Sequence, residues 1–365
     1  MGLGNNWRSS KKGVGIMDGF LESFKKGLEK RVDILQGKKK GLKKGLKRAP
    51  EGIPEGILKE TFPEGALLVN MGGATSSAQL QQFLYNMFKD YRIVPSPIRH
   101  FLAPVISRTR TRKVWEKYRQ IGGSPIYSLT TALCSQIEKE WKRPVLYGMR
   151  YTTPFIWDQL FLFEKVIVLP LYPHYSVTTF ESALDGIKRT VAKGFRGVIG
   201  VVQPFYNHPL FNRLTADSIL EQMEGEEGEW HLIFSAHGLP ERLVKRNRDP
   251  YPHQVAEQVT HLKRLVGHRF KSVTLAYQSR FGFGKWLKPY LSEILPIYRK
   301  KQVAIYPISF LIDNSETDLE LGIEYYHLGK EIGIRRYKLL SPPNDSPKFA
   351  QFYLRLIEEV RERLW

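Results

Sequence analysis

A histidine and a ladder of glutamates, each placed just after a short apolar run, are the residues of this sequence best suited to chemistry. His237 sits in Phe234-Ser235-Ala236-His237-Gly238-Leu239-Pro240, while Glu316, Glu320 and Glu324 follow Asp313-Asn314-Ser315 at intervals of four. An imidazole accepts a proton near neutral pH or binds a transition metal, and carboxylates bind hard cations and relay protons to water. The interval of four predicts that the three glutamates share one helical face. Read alone, such a trio is a solvated face and a single histidine is a hydrogen-bonded structural residue. His174, His208 and His327 are read as structural or exposed. Other segments end in the same way: Asn70-Met71-Gly72-Gly73, whose glycines permit a tight turn and close approach of a ligand, Leu171-Tyr172-Pro173-His174-Tyr175-Ser176, and Tyr277-Gln278-Ser279-Arg280 with Trp286 beyond it.

The elements that must position these residues alternate in type from Gly65 onward. Apolar runs span Ala66 to Asn70, Val145 to Met149, Val166 to Leu171, Gly197 to Val202, His231 to Ser235, Val273 to Tyr277 and Val303 to Ile308. Runs of this length suit parallel strands covered on both faces. Helix-period segments lie between them at Ser77 to Asp90, Thr130 to Trp141, Glu181 to Ala192 and Pro252 to Val266. The alternation predicts an α/β fold of βαβ units, which places ligands beyond the carboxyl ends of the strands. The chemistry-bearing residues stand where that rule asks.

The chain has 365 residues, 42% of them hydrophobic, and a formal charge of +20. It can bury a sizeable core, and its length predicts two domains or one large one. The charge is lopsided: residues 1–50 hold 14 Lys or Arg against 4 Asp or Glu. Residues 1–60 therefore read as a separate basic extension. In it Met17, Phe20, Leu21, Phe24, Leu28, Val32 and Leu35 predict one face of a helix, followed by a Gly/Lys run from Gly37 to Arg48. Either this extension lies on an anionic membrane surface or it is solvated. No nucleic-acid-binding motif accompanies the charge, so nucleic acid is not expected as a partner. No apolar stretch is long enough to span a bilayer, and no secretory signal is read. Cys134 is the single cysteine, which excludes an internal disulfide and any iron–sulfur cluster built from one chain's cysteines.

Taken together and in order, these segments resemble the ferrochelatase family over about 300 residues from Leu67 onward. Phe234 to Pro240 is similar to the family signature S-A-H-[SG]-L-P, and Asp249-Pro250-Tyr251-Pro252 follows at the family's distance. Tyr118 to Pro125, Tyr172 to Ser176, Tyr277-Gln278-Ser279 with Trp286-Leu287, and Ser315-Glu316-Thr317 through Tyr325 are similar too. The resemblance implies two similar Rossmann-like domains, each a parallel sheet flanked by helices, with a porphyrin cleft between them. It divides the chain into residues 61–210 and 211–340, with a C-terminal helix in 341–365 packing back on the body.

It implies insertion of Fe2+ into a porphyrin, with protoporphyrin IX expected over coproporphyrin III. Another class II chelatase, or a non-catalytic porphyrin binder, is the alternative. His237 and Glu316 correspond to the catalytic, metal-contacting pair, and Glu320 and Glu324 extend an acidic track from it. Met71 corresponds to the residue facing the other side of the ring, and Tyr118, Arg150, Tyr151, Tyr175 and Trp286 resemble porphyrin-contacting residues. Arg110, Lys113 and Ser124 resemble those near the propionates. Pro95 to Pro104, with Ile98, Phe101, Leu102 and Ala103, matches a hydrophobic lip that would meet a membrane or a greasy substrate. Many relatives carry His where this chain has Asn314, which cannot titrate. Iron enters as substrate, no permanent cofactor is expected, and the protein is expected as a monomer or homodimer in the cytoplasm, peripheral on the inner membrane.

Overall fold

The computed structural model describes residues 61–280 and 284–365; the expected N-terminal amphipathic helix falls outside them. Among the described residues, eight strands form two parallel sheets. The first contains β1 (Gly65–Asn70), β2 (Val145–Met149), β3 (Lys165–Pro170) and β4 (Val198–Val201), in the order β2-β1-β3-β4. The second contains β5 (Trp230–His237), β6 (Ser272–Gln278), β7 (Gln302–Tyr306) and β8 (Arg336–Leu339), in the order β6-β5-β7-β8. The two sheets thus repeat one strand order, and in each the first strand is central. Leu67, Leu68, Val69, Leu232, Ile233 and Phe234 are fully buried on these central strands because helices cover both faces.

In chain order the helices are α1 (Ser77–Lys89), α2 (Arg99–Tyr118), α3 (Ile126–Trp141), α4 (Ile156–Leu160), α5 (Phe180–Ala192) and α6 (Pro209–Met223). They continue as α7 (Glu241–Asn247), α8 (Tyr251–Val266), α9 (Leu291–Ile294), α10 (Tyr325–Ile332) and α11 (Pro347–Leu364). Their starts follow local chemistry. Ser76 caps α1 by accepting the Gln79 N–H, and Pro at the first turn opens α6 and α11. The amphipathic α11 returns to the first sheet, where Phe349, Phe352, Tyr353 and Ile357 join Leu68, Ile167 and Leu169 in one core.

One reading of the sequence gains a local structure and another changes. The Pro95 to Pro104 lip turns at Pro97–Ile98 and enters α2, with Pro104 inside the helix. Ile98 and Phe101 are exposed, whereas Ala103 is fully buried. The glutamate ladder is not α-helical. Glu316–Glu324 forms a nine-residue π-helix, closed by the Tyr325 N–H donating to the Glu320 carbonyl. Helices of this i→i+5 type are rare and are frequently found at functional sites.

Candidate active site

β5 ends at His237, and its two neighbours build the walls around it. The adjoining β6 ends at Gln278 and is followed by Ser279, and the loop after β7 carries Ser309 and leads to the π-helix. The histidine is anchored by its backbone: its N–H donates to Ser309 Oγ at 3.2 Å, and Tyr251 Oη donates to its carbonyl at 2.9 Å. The next residue must be glycine, because a Cβ at Gly238 would stand 2.5 Å from the Gln278 carbonyl oxygen. Trp286 closes over this turn through its bridge to Pro240. With its main chain fixed on three sides, the imidazole presents a defined edge.

That edge meets carboxylates. His237 Nδ1 lies 2.6 Å from Glu316 Oε2, and about a third of each side chain reaches solvent. Ser279 Oγ donates to Glu316 Oε2 at 3.1 Å and also bonds Glu320, while its backbone N–H donates to Glu320 Oε1 at 2.7 Å. Ser279 reaches both carboxylates from a left-handed backbone (φ 62°), uncommon outside glycine. His237, Glu316, Ser279 and Glu320 form one continuous chain of contacts.

Electrostatics separates the members of this chain. Burial opposes charge on His237, but the Glu316 carboxylate outweighs it and holds the imidazolium above its ordinary pKa. Burial likewise raises Glu316, and the His237 pair and the Ser279 hydroxyl more than reverse it, leaving Glu316 low. Glu320 has no cation of its own. Burial and then repulsion from Glu316 push it up to about 7. At neutral pH the first carboxylate is therefore ionised and the second is poised to gain or lose a proton.

Asn314, the non-titrating departure, is turned into its own loop. Its side-chain oxygen accepts the Glu316 N–H at 2.8 Å and its amide donates to the Ile312 carbonyl at 3.0 Å, so it shapes the entry to the π-helix. Glu324 departs from the acidic track: it pairs with Lys117 of α2 instead of continuing toward solvent alone. Tyr118 donates to Ser315 Oγ at 2.7 Å, so α2 is tied to both ends of the π-helix. Arg110, Lys113 and Lys117 follow one another at three and four residues, placing all three on the flank of α2 that reaches Glu324.

The remaining site residues divide. Met71 follows β1 and packs with Tyr175 on the core of the first sheet. Ser124 has a buried hydroxyl without a hydrogen-bond partner, pressed against Gly73. Arg150 and Tyr151 are corrected. Both are sealed inside, where Arg150 donates to Asp90 at 2.9 Å and to the Ser182 carbonyl at 2.7 Å, and Tyr151 donates to Asp90 at 3.0 Å. An ion pair whose members are 5% and 1% exposed has no surface left for a ring. His174 is fully buried between Tyr206 and Tyr251, and burial pushes it down to about 3. His208 caps α6, and His327 rests on Tyr326.

Sequence reasoning quoted Ser279 and Asp249 within motifs but gave neither a task. Asp249 accepts Ser176 Oγ and the Val177 and Tyr251 N–H groups, joining the loop after β3 to α8. Asp90 carried no signal beyond its position after a helix. Among the described residues, no three His, Cys, Asp or Glu side chains converge as a metal cage.

The ferrochelatase family model matches residues 63–361. The chain belongs to the ferrochelatase family. A ferrochelatase of Campylobacter concisus is 40% identical over 310 residues, covering 81% of this chain and 98% of that one. A ferrochelatase of Aquifex aeolicus is 37% identical over 303 residues, covering 78% and 96%. Among solved structures, SirB from Bacillus subtilis with Fe3+ superposes with a TM-score of 0.50 at 12% identity, over 82% of this chain and 95% of that one. That likeness concerns the fold alone, and it matches the two-sheet architecture of this ferrochelatase relative.

Proposed function

We propose that the protein inserts ferrous iron into a porphyrin, with protoporphyrin IX as substrate, at the terminal stage of haem synthesis. Each turnover must release two pyrrole protons while the ion sheds water. The observation that carries this reading is the unbroken path His237–Glu316–Ser279–Glu320. His237 and Glu316 contact the incoming ion, and His237 takes protons from the ring. Because Glu316 keeps the imidazolium protonated, the pair must pass a proton onward before His237 accepts the next. Glu320, titrating near 7, both takes and releases it, and the Ser279 hydroxyl bridges the two carboxylates.

Met71 faces the ring from the opposite side, with Tyr118, Tyr175 and Trp286 around its edge. Arg110 and Lys113 pair with the propionates, and Ser124 supplies a hydroxyl near them. Residues 61–210 and 211–340 act as the two domains around the ring, and 341–365 as their C-terminal brace. No permanent cofactor is required. The protein works in the cytoplasm, peripheral on the inner membrane, as a monomer or homodimer, with the basic extension serving location rather than chemistry.

The test is metal insertion followed by loss of porphyrin fluorescence, using protoporphyrin IX and coproporphyrin III with Fe2+ or Zn2+. Protoporphyrin IX is expected to turn over faster. His237→Ala lowers insertion by about 1,000-fold or more while porphyrin affinity persists, since the apolar contacts remain. Near-wild-type turnover by that variant ends the assignment of His237, and faster use of coproporphyrin III ends the substrate assignment.

A further inference from the structure

We propose that Tyr251 is a positioning residue for metal insertion: its hydroxyl closes a circuit of three hydrogen bonds around the His237 peptide, and Asp249 ties that circuit to the loop carrying Tyr175. The inference rests on the activity proposed above. On the side facing β7, the backbone ladder of β5 stops before His237. The pairing of the two strands ends at Phe234 and Tyr306, and beyond it the Ile308 N–H donates to the Ser235 carbonyl at 3.0 Å. His237 stands two residues further, so its N–H and carbonyl need other partners. Two hydroxyls stand in for the missing strand. The His237 N–H donates to Ser309 Oγ at 3.2 Å, Tyr251 Oη lies 2.7 Å from the same Oγ, and Tyr251 Oη donates to the His237 carbonyl at 2.9 Å. Since the tyrosine proton is given to the carbonyl, the Ser309 proton goes to Tyr251 Oη. Each hydroxyl thus donates once and accepts once, and the circuit begins and ends on His237.

The tyrosine is in turn held by the loop after β3. Asp249 divides its carboxylate between two elements: Oδ1 accepts the Tyr251 N–H at 3.0 Å in the first turn of α8, while Oδ2 accepts Ser176 Oγ at 2.9 Å and the Val177 N–H at 2.8 Å. Two more contacts join that loop to α8. Gln254 Oε1 accepts the Tyr175 N–H at 2.7 Å, and the His174 ring meets the Tyr251 ring edge-on with centroids 5.8 Å apart. Asp249 and Tyr251 are each 6% exposed, so little water is at hand to replace these bonds. In the activity proposed above, Tyr175 contacts the porphyrin and His237 contacts the metal. With both fastened to the first turn of α8, the porphyrin edge and the imidazole keep one register. Register matters because a misplacement of about 1 Å can cost about 100-fold in rate.

The experiment compares Tyr251→Phe, Ser309→Ala and their double variant in the full chain, with insertion measured per folded molecule and the denaturation midpoint recorded for each. Each single change opens the same circuit. Each should lower kcat by about tenfold with porphyrin KM held within about twofold, and the double variant should lose no more than about tenfold. A double loss near 100-fold makes the hydroxyls independent anchors and overturns the circuit, as does an unchanged kcat in either single variant, whatever happens to the midpoint. Ser309→Ala decides the matter if Tyr251→Phe fails to fold. Asp249→Asn weakens the tie, so kcat should fall while porphyrin KM rises about threefold or more; a change in one without the other overturns the link to the Tyr175 loop. A readout that needs no turnover separates these outcomes from failure of the proposed activity. With isotope-labelled histidine, the Nδ1–H resonance that disappears in His237→Ala should stand far downfield because of the 2.6 Å contact with Glu316, and should move upfield in Tyr251→Phe. If the wild-type chain inserts no metal yet this resonance moves, the activity reading falls and the positioning of His237 by Tyr251 stands. An unmoved resonance overturns the positioning.

Discussion

Two charge clusters stand at the carboxyl ends of parallel strands, one in each half, and they have opposite fates. After β2, Arg150, Tyr151 and Ser182 each donate to the Asp90 carboxylate in a sealed interior. After β5, His237 meets Glu316, but a second carboxylate competes for the same serine and solvent touches the pair. The first cluster is closed to solvent, with Asp90 accepting from Arg150, Tyr151 and Ser182. In the second, burial and then the neighbouring Glu316 charge push Glu320 to about 7. A buried ion pair becomes chemical when it is left incompletely matched and open on one side.

The comparison is broken most severely by Arg150→Ala. Leaving Asp90 buried without its cation should cost about 3–5 kcal/mol of stability, read as a fall in the denaturation midpoint. Porphyrin affinity per folded molecule should hold within about twofold, because Arg150 is sealed inside with Nη2 on Asp90 and Nε on Ser182. Lost affinity with unchanged stability would return Arg150 to the porphyrin surface. Glu316→Gln comes next, keeping shape and losing charge. The expected fall in kcat is about 100- to 1,000-fold. Since Glu316 is what raises His237, the imidazole should also titrate lower, a change that NMR can follow.

Ser279→Gly sharpens the comparison more gently. Glycine adopts φ 62° without strain and keeps the N–H to Glu320, so only the hydroxyl bridge is lost. About a tenfold drop in kcat with little change in stability is expected; unchanged kcat would leave the hydroxyl out of the relay. The smallest effect belongs to Glu320→Gln and shows best against pH. An acid raised from 4.5 to about 7 on folding costs stability that grows as pH climbs through that window and is complete above it. The variant should therefore be about 1–3 kcal/mol more stable than wild type at pH 8 and equal to it below pH 4.5. In kinetics, the fall in rate as pH drops through 7 should flatten. A limb that persists belongs to another group.

Much of this architecture was legible because burial on both faces leaves its mark on strand composition. The seven apolar runs fall on β1 to β7. The eighth strand, Arg336-Tyr337-Lys338-Leu339, was missed because it is a sheet edge, where charged side chains are favoured. Most of α2 went unread, since Pro95, Pro97 and Pro104 suggest breaks while the helix carries the last of them within its early turns. The spacing of four drew attention to Glu316 and Glu320, which Ser279 joins, but a π-helix and an α-helix look alike in such a short ladder. Ser279 could not be assigned from its neighbours, because its task comes from β6 ending beside an element 37 residues later in the chain. Arg150 and Tyr151 matched a motif, and their burial depends on Asp90 and Ser182, which lie 60 and 32 residues from Arg150.

The way α11 closes the first sheet also bears on how the chain is made. β4 ends at Val201, yet the core of that sheet includes Phe349, Phe352, Tyr353 and Ile357. At ribosomal rates of about 5–20 residues per second, the sheet waits on the order of 10–30 s for its last wall. Throughout that interval Leu68, Ile167 and Leu169 have no partner from α11 to bury them. Until α11 emerges, the nascent chain therefore exposes the kind of apolar surface that makes a folding intermediate prone to aggregation.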